Sequence, residues 1–172
     1  MPHNVLIEAE FLLRIFVAAM FSAALGWERE RAGKAAGFRT HIVVGVTAAL
    51  FVITGILAVE QYGTSEGVNV DPTRTIHAIA VGIGFLGAGL VVFSPKDERV
   101  KGLTTAASVW GTAAVGAATG YGLYLVASGT TVILLVVLNK LIYLDVSSDA
   151  IDDRRRTGEF KGPLVEDDDE PA

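Results

Sequence analysis

Ile42-Val43-Val44-Gly45-Val46-Thr47-Ala48-Ala49-Leu50-Phe51-Val52-Ile53-Thr54-Gly55-Ile56-Leu57-Ala58-Val59 runs for 18 residues without a charge. A helix on the surface of a water-soluble protein needs a polar face, and this run has none. Spanning the hydrocarbon core of a bilayer takes about 20 apolar residues in helix. The stretch therefore predicts a transmembrane helix from about His41 to Val59. Four similar segments accompany it, roughly Ile7 to Trp27, Thr73 to Phe93, Leu103 to Thr119 and Leu123 to Leu144. The last two are separated only by Gly120-Tyr121-Gly122, which reads as a tight turn, with a re-entrant pair as the alternative. The expected fold class is an all-α integral membrane protein, a bundle of five transmembrane helices over residues 1–144.

The connections give the orientation. Arg29, Arg31, Lys34 and Arg39 lie between the first two segments, and Lys96, Arg99 and Lys101 between the third and fourth. Arg154, Arg155, Arg156 and Lys161 follow the fifth, whereas Glu60 to Pro72 holds no Lys or Arg. Basic connections are retained on the cytoplasmic side. The alternation therefore places the N-terminus outside and the C-terminus in the cytoplasm. Glu8 and Glu10 precede the first apolar run and the basic residues follow it. That is the reverse of a secretory signal, so an uncleaved helix is expected.

From residue 145 the composition changes. Residues 145–172 carry a net charge of −6 against +1 for the rest, and end in Glu166-Asp167-Asp168-Asp169-Glu170. Such a run cannot bury apolar surface, and a disordered acidic cytoplasmic tail is expected. The absence of cysteine excludes a disulfide framework, a thiolate zinc site and a thiol nucleophile. Asp71-Pro72 reads as an N-cap and first-turn proline for the third helix. Thr40 is a candidate cap for the second helix, and Thr104 or its predecessor for the fourth.

Gly82-Ile83-Gly84-Phe85-Leu86-Gly87-Ala88-Gly89 matches the dinucleotide-binding pattern by spelling. That fingerprint needs a strand before the glycines and a helix opening at them. Here Gly82, Gly84, Gly87 and Gly89 lie inside one apolar run, so close helix packing is expected instead, with the third helix near the bundle centre. Small residues four apart let helix backbones approach, and Ser22/Gly26, Gly45/Ala49 and Gly116/Gly120 repeat the spacing. Arg14 lies about two turns inside the first helix, a costly depth that marks a functional candidate. Glu10, four residues earlier, is its natural partner; the alternative is an internal polar site. On the inner side, Glu28, Arg29, Arg39, Thr40, Lys101, Thr104 and Thr105 group at helix ends. Arg39, Lys101 and the three threonine hydroxyls could form an anion pocket for a phosphate or an acidic partner, with Glu28 instead a weak candidate for a cation ligand or a counter-ion to Arg29 or Arg39. His41 and His77 fall near helix ends on opposite sides and are expected to be interfacial. No catalytic set is evident, and no enzyme, cofactor or nucleic-acid partner is expected.

Gly26-Trp27-Glu28-Arg29-Glu30, Ala36-Gly37-Phe38-Arg39-Thr40-His41, Gly82 to Gly89, and Val100-Lys101-Gly102-Leu103-Thr104-Thr105-Ala106-Ala107 with Trp110 resemble the MgtC/SapB family in order and spacing. The resemblance covers roughly residues 8 to 144. It implies a five-span protein of the bacterial or archaeal inner membrane, tied to growth when magnesium is scarce, with some relatives important inside host cells. It further implies a regulator acting on other membrane proteins, the F-type ATP synthase or a P-type magnesium pump among them, and admits a homodimer. The runner-up is an oligomeric transporter or channel for magnesium or another small ion. Many members add a soluble ACT-like C-terminal domain. After Leu144 this chain has about 28 residues, so a function lodged in that domain is expected to be absent.

Overall fold

A computed structural model describes residues 5–63, 71, 73–94 and 99–139. The expected acidic tail, Lys96, Lys140 and the last residues of the fifth segment lie outside that range. The chain divides into two compact units, Met1–Leu138 and Asn139–Ala172, and the packing below belongs to the first. Five helices make up most of it: α1 Val5–Arg31, α2 Phe38–Tyr62, α3 Thr73–Leu90, α4 Leu103–Gly120 and α5 Tyr124–Asn139. Helices α2 and α3 are long and apolar enough to cross a bilayer. The all-α expectation misses one feature, a two-stranded antiparallel hairpin of β1 (Val92–Ser94) and β2 (Arg99–Lys101) between α3 and α4.

The turns follow from glycine placed where L-residues are strained. After α1, Gly33 adopts φ +65°, the Lys34 N–H reaches back to the Arg29 carbonyl and the Gly33 N–H to that of Glu30, each at 3.0 Å. After α4, Gly122 at φ +78° does the same, with Leu123 bonded to Ala118 and Gly122 to Thr119. Both are Schellman closures, which satisfy the orphan carbonyls of a helix end. The tight turn read at Gly120–Gly122 is thus present as a helix stop. Neither threonine caps its helix. Thr40 and Thr104 fall within the first turns of α2 and α4, whose N-caps are Gly37 and Gly102 without side-chain cap bonds. Glu30 does the work for α2, its Oε2 accepting the Phe38 N–H at 2.8 Å. Asp71 does cap α3: Oδ1 accepts the Thr73 N–H at 2.8 Å and its hydroxyl at 2.7 Å.

Two predictions arise here. Gly102 sits at φ +93°, and a Cβ there would lie 1.9 Å from the Leu90 carbonyl oxygen. Gly102→Ala should cost about 2–4 kcal/mol, combining the left-handed penalty with a forced backbone shift, read as a lowered melting temperature in detergent. The bonds from Thr73 hold the Asp71 carboxyl below its ordinary range. Its contribution is therefore complete above the ordinary aspartate value and is lost as pH falls through the lowered one. Amide exchange in the first turn of α3 should accelerate over that acidic window.

The buried stripes explain the packing. Ala18, Ser22, Leu25 and Arg29 on α1, His41, Gly45, Ala48 and Val52 on α2, and Ala127, Thr131 and Leu138 on α5 recur at helical spacing and are buried. Helix α4 buries ten residues, most of them small or hydroxylated. Thr112, Thr119 and Thr131 return their hydroxyls to carbonyls four residues back, at 2.8–2.9 Å, and so are buried without a cross-helix partner. The close approaches use the small pairs seen in the sequence. A Cβ on Gly116 would lie 2.3 Å from the Gly45 oxygen, one on Gly120 2.8 Å from the Ala49 oxygen, and one on Gly26 2.8 Å from the Phe38 Cα. The centre is therefore α1, α2 and α4. Helix α3 is peripheral, which corrects the expectation that it sits at the centre. Nothing lies within 4 Å of a Cβ built on Gly82, Gly84 or Gly89, and of the four only Gly87 meets a neighbour, Ala106 at 3.6 Å.

These contacts also fix direction. Gly26 meets Phe38 and His41 while Ser22 meets Gly45, so α1 and α2 are antiparallel. Gly45 with Gly116 and Ala49 with Gly120 make α2 and α4 parallel, and Gly55 with Thr75 makes α3 antiparallel to α2. The helices alternate along the chain. One end gathers the close of α1 and the starts of α2 and α4; the other holds Arg14 and the close of α4.

Candidate functional site

The end that gathers α1, α2 and α4 encloses charge. Arg29 is fully buried and Glu28 nearly so. Arg29 Nε–H donates to Glu28 Oε2 at 2.5 Å and Nη2–H to Oε1 at 2.8 Å, a two-pronged pair between neighbours on one helix. Nη2–H also donates to the Leu138 carbonyl at 3.2 Å, joining the close of α5 to α1. Nη1 has no partner among the described residues. The pair keeps the interior close to neutral, since an unpaired charge at zero exposure would be far costlier.

Beside it, His41 is fully buried. Nδ1–H donates to the Gly37 carbonyl at 2.9 Å, and Nε2 faces Ser108 Oγ at 3.3 Å. Because a carbonyl can only accept, the Nδ1 proton is fixed by its partner. The single Ser108 hydroxyl proton can serve either Nε2 or the Thr105 carbonyl, which lies 2.8 Å from Oγ. A chain of polar contacts thus runs from the N-cap of α2 through His41 to the first turns of α4, with Glu28 and Arg29 within electrostatic reach of the ring.

The geometry sorts the expected inner residues into two groups. Glu28, Arg29 and Thr105 are buried here; Thr40 is half-buried, and Arg39, Lys101 and Thr104 are exposed. Glu28 is placed as the counter-ion of Arg29, one of the roles read for it in the sequence. Both Glu28 oxygens accept from Arg29, which leaves the carboxylate committed rather than open to a cation. Sequence reading missed His41, treated as interfacial, and Ser108. Their signal was spacing: His41 opens the stripe that continues through Gly45, Ala48 and Val52. His77 is exposed, its ring bonded to the Thr73 carbonyl at 3.0 Å. At the opposite end Arg14 pairs with Glu10 and also donates from Nη1 to the Gly120 carbonyl at 3.0 Å. Arg14 thus meets the expected i−4 partner and also binds an orphan carbonyl of α4.

A helical protein with two bilayer-length apolar helices and a buried ion pair at the junction of three helices is the class these features define. This chain belongs to the MgtC family, whose family model matches residues 15–145. It is 37% identical over 138 residues to YhiD of Escherichia coli strain K12, named there as a proposed magnesium transporter; the match covers 78% of this chain and 63% of that protein. It is 34% identical over 130 residues to SapB of Bacillus subtilis, covering 76% of this chain and 56% of the relative. It is 39% identical over 120 residues to MgtC of Brucella abortus strain 2308, covering 70% and 46%. The chain thus spans about half to three-fifths of the length of these relatives. No solved structure matches it.

Proposed function

We propose that the chain is a multi-pass protein of the bacterial or archaeal inner membrane, crossing five times with the N-terminus outside and the C-terminus cytoplasmic. In this reading residues 1–144 form the membrane domain and 145–172 an acidic cytoplasmic tail. Its role is that of a non-enzymatic regulator or adaptor in adaptation to low magnesium, contacting other membrane proteins, or a second copy, through helix faces. Partners of the F-type ATP synthase or P-type magnesium pump kind are the ones the family resemblance suggests. Supporting the lipid setting, Phe85 and Leu125 are 85% and 86% exposed, while Arg29 and His41 are wholly buried. In water such an apolar exterior would aggregate; in a bilayer it is the ordinary outside. The basic residues Arg29, Arg31, Lys34, Arg39 and Lys101 fall at one end, which the positive-inside bias makes cytoplasmic.

The observation that carries the adaptor reading is the unfilled glycines of α3. Gly82 and Gly89, seven residues apart, share one face and Gly84 lies on another, each with open space where a side chain would be. Glycine at such positions costs about 1 kcal/mol of helix propensity each, and close approach of another backbone would offset that cost. The buried Glu28, Arg29 and Thr105 would hold the cytoplasmic end in shape. Thr40, Arg39, Lys101 and Thr104 would line the rim around it. Gly82→Leu and Gly84→Leu should leave the melting temperature of the purified chain unchanged or higher, and abolish rescue of a deletion strain in low magnesium. Full rescue by both variants would defeat the reading.

Transport stands as the alternative because of the name of the YhiD relative. Magnesium sites use carboxylates and retained waters, and Glu28 is already committed to Arg29. Liposomes loaded with a magnesium-sensitive dye separate the readings. The adaptor reading expects no flux above empty vesicles.

A further inference from the structure

The turn joining α1 to α2 carries an unbalanced charge. Arg31, Lys34 and Arg39 are all exposed, and none of them is ion-paired among the described residues. The carboxylate in the same turn is already used, Glu30 Oε2 accepting the Phe38 N–H that opens α2. The cations are also held in place. The Schellman closure at Gly33 fixes Lys34 through its N–H to the Arg29 carbonyl at 3.0 Å, and the Glu30 bond fixes the start of the helix bearing Arg39. Three positive side chains within nine residues thus sit around a backbone-ordered turn against one carboxylate, Glu30, a surplus of two positive charges.

An aromatic pair gives the depth of that turn. Trp27, 58% exposed, meets Phe38 edge to face, with ring centroids 6.1 Å apart and planes at 78°. Indole rings favour the level of lipid headgroups, with the apolar body toward the acyl chains and the N–H toward water. Trp27 lies one helical turn before Arg31, and Phe38 adjoins Arg39, so rings seated at headgroup level would bring the cations to the phosphates. The pair also offers an apolar contact that a small soluble anion cannot use.

We propose that Arg31, Lys34 and Arg39, with Trp27 and Phe38 as an apolar floor, form a binding site for the headgroup of an anionic phospholipid in the cytoplasmic leaflet. The proposal rests on the membrane placement given above. The headgroup phosphate takes charge-assisted hydrogen bonds from the cations, and the glycerol and upper acyl chains lie along the rings. The site is separate from the buried Glu28–Arg29 pair, whose hydrogen-bonding groups face inward. A bound anionic lipid would set the tilt of α1 and α2 and hence the presentation of the rest of the bundle.

The test uses the full chain in detergent, with native mass spectrometry counting retained lipid as phosphatidylglycerol or phosphatidylcholine is titrated. The wild type should retain phosphatidylglycerol in preference. Lys34→Gln should weaken its binding about fivefold, and the triple variant Arg31→Gln, Lys34→Gln, Arg39→Gln on the order of a hundredfold, each cation contributing its share of surface attraction. All three positions are exposed, so the variants should melt as the wild type does. Arg74→Gln, at the start of α3, should change nothing. Equal retention of phosphatidylglycerol by the wild type and the triple variant would overturn the proposal. So would its displacement by millimolar inorganic phosphate, which would assign the site to a soluble anion. Failure of the chain to reconstitute into any vesicle would overturn the membrane placement and this site with it.

Discussion

Glu28→Ala should destabilise the folded chain by about 3–5 kcal/mol, the range for removing one partner of a buried ion pair. The asymmetry between the two partners makes the prediction specific. Arg29 is at zero exposure, so it cannot extend to water, and a guanidinium cannot shed its proton under any ordinary condition. Without Glu28 its remaining bond would be to the Leu138 carbonyl. Arg29→Met leaves a carboxyl that can take up a proton and become neutral. That variant should be less damaged, and its deficit should shrink on acidification while that of Glu28→Ala does not. The double variant Glu28→Met, Arg29→Met removes both charges and should return to within about 1–2 kcal/mol of the wild type, because apolar replacement of a whole buried pair is often neutral. With Glu28→Met as the matching single variant, unfolding of the wild type, Glu28→Met, Arg29→Met and the double variant in mixed micelles gives the coupling energy. Single and double losses that simply add would mean the pair is not a unit. A double variant that folds yet fails to rescue growth would place a functional role on the charges themselves.

Helices α2 and α3 were legible because an apolar run of bilayer length has few alternatives, and the turn after α4 because Gly120-Tyr121-Gly122 interrupts the apolar pattern; Gly33 and Gly102, equally left-handed, were not read as turns. The capping pattern at Asp71 was legible from local sequence as well. What the sequence did not disclose is which face of each helix has a neighbour. Ser22/Gly26, Gly45/Ala49 and Gly116/Gly120 have the same spacing as Ala78/Gly82, and the first three bury a backbone contact while Gly82 meets open space. Small residues permit close approach without saying to what. The caps of α2 and α4 failed as readings because local rules favour threonine, whereas the chain uses Glu30 from the preceding helix and a glycine braced on Leu90. His41 was misplaced because its position near a helix start suggested an interface. The packing of α1 at Gly26 and of α4 at Ser108, 67 residues away in sequence, buries it.

Gly116→Ala should be among the most damaging single-methyl changes in the chain, at about 2–3 kcal/mol, and no second-site change of side chain at the contact should repair it. A Cβ at 116 would stand 2.3 Å from the oxygen, 2.8 Å from the Cα and 2.9 Å from the carbonyl carbon of Gly45. All three are backbone atoms of a residue that has no side chain to trim, so relief requires α2 and α4 to separate. Separation also strains the Gly120–Ala49 contact one turn on, and lengthens the 3.3 Å approach of His41 to Ser108 on the same two helices. Gly45→Ala is the matched comparison. Its added methyl would fall 1.8 Å from Ser22 Oγ and 2.8 Å from Ser22 Cβ, both side-chain atoms, while the Ala18 backbone oxygen stands off at 3.5 Å. Ser22→Gly should therefore rescue Gly45→Ala and leave Gly116→Ala unrepaired. Gly84→Ala, with nothing within 4 Å, should raise stability by up to about 1 kcal/mol through helix propensity alone. Melting temperatures of these variants in one detergent decide the matter. If Ser22→Gly rescued Gly116→Ala as well, the tight backbone seam between α2 and α4 would not be where these contacts put it.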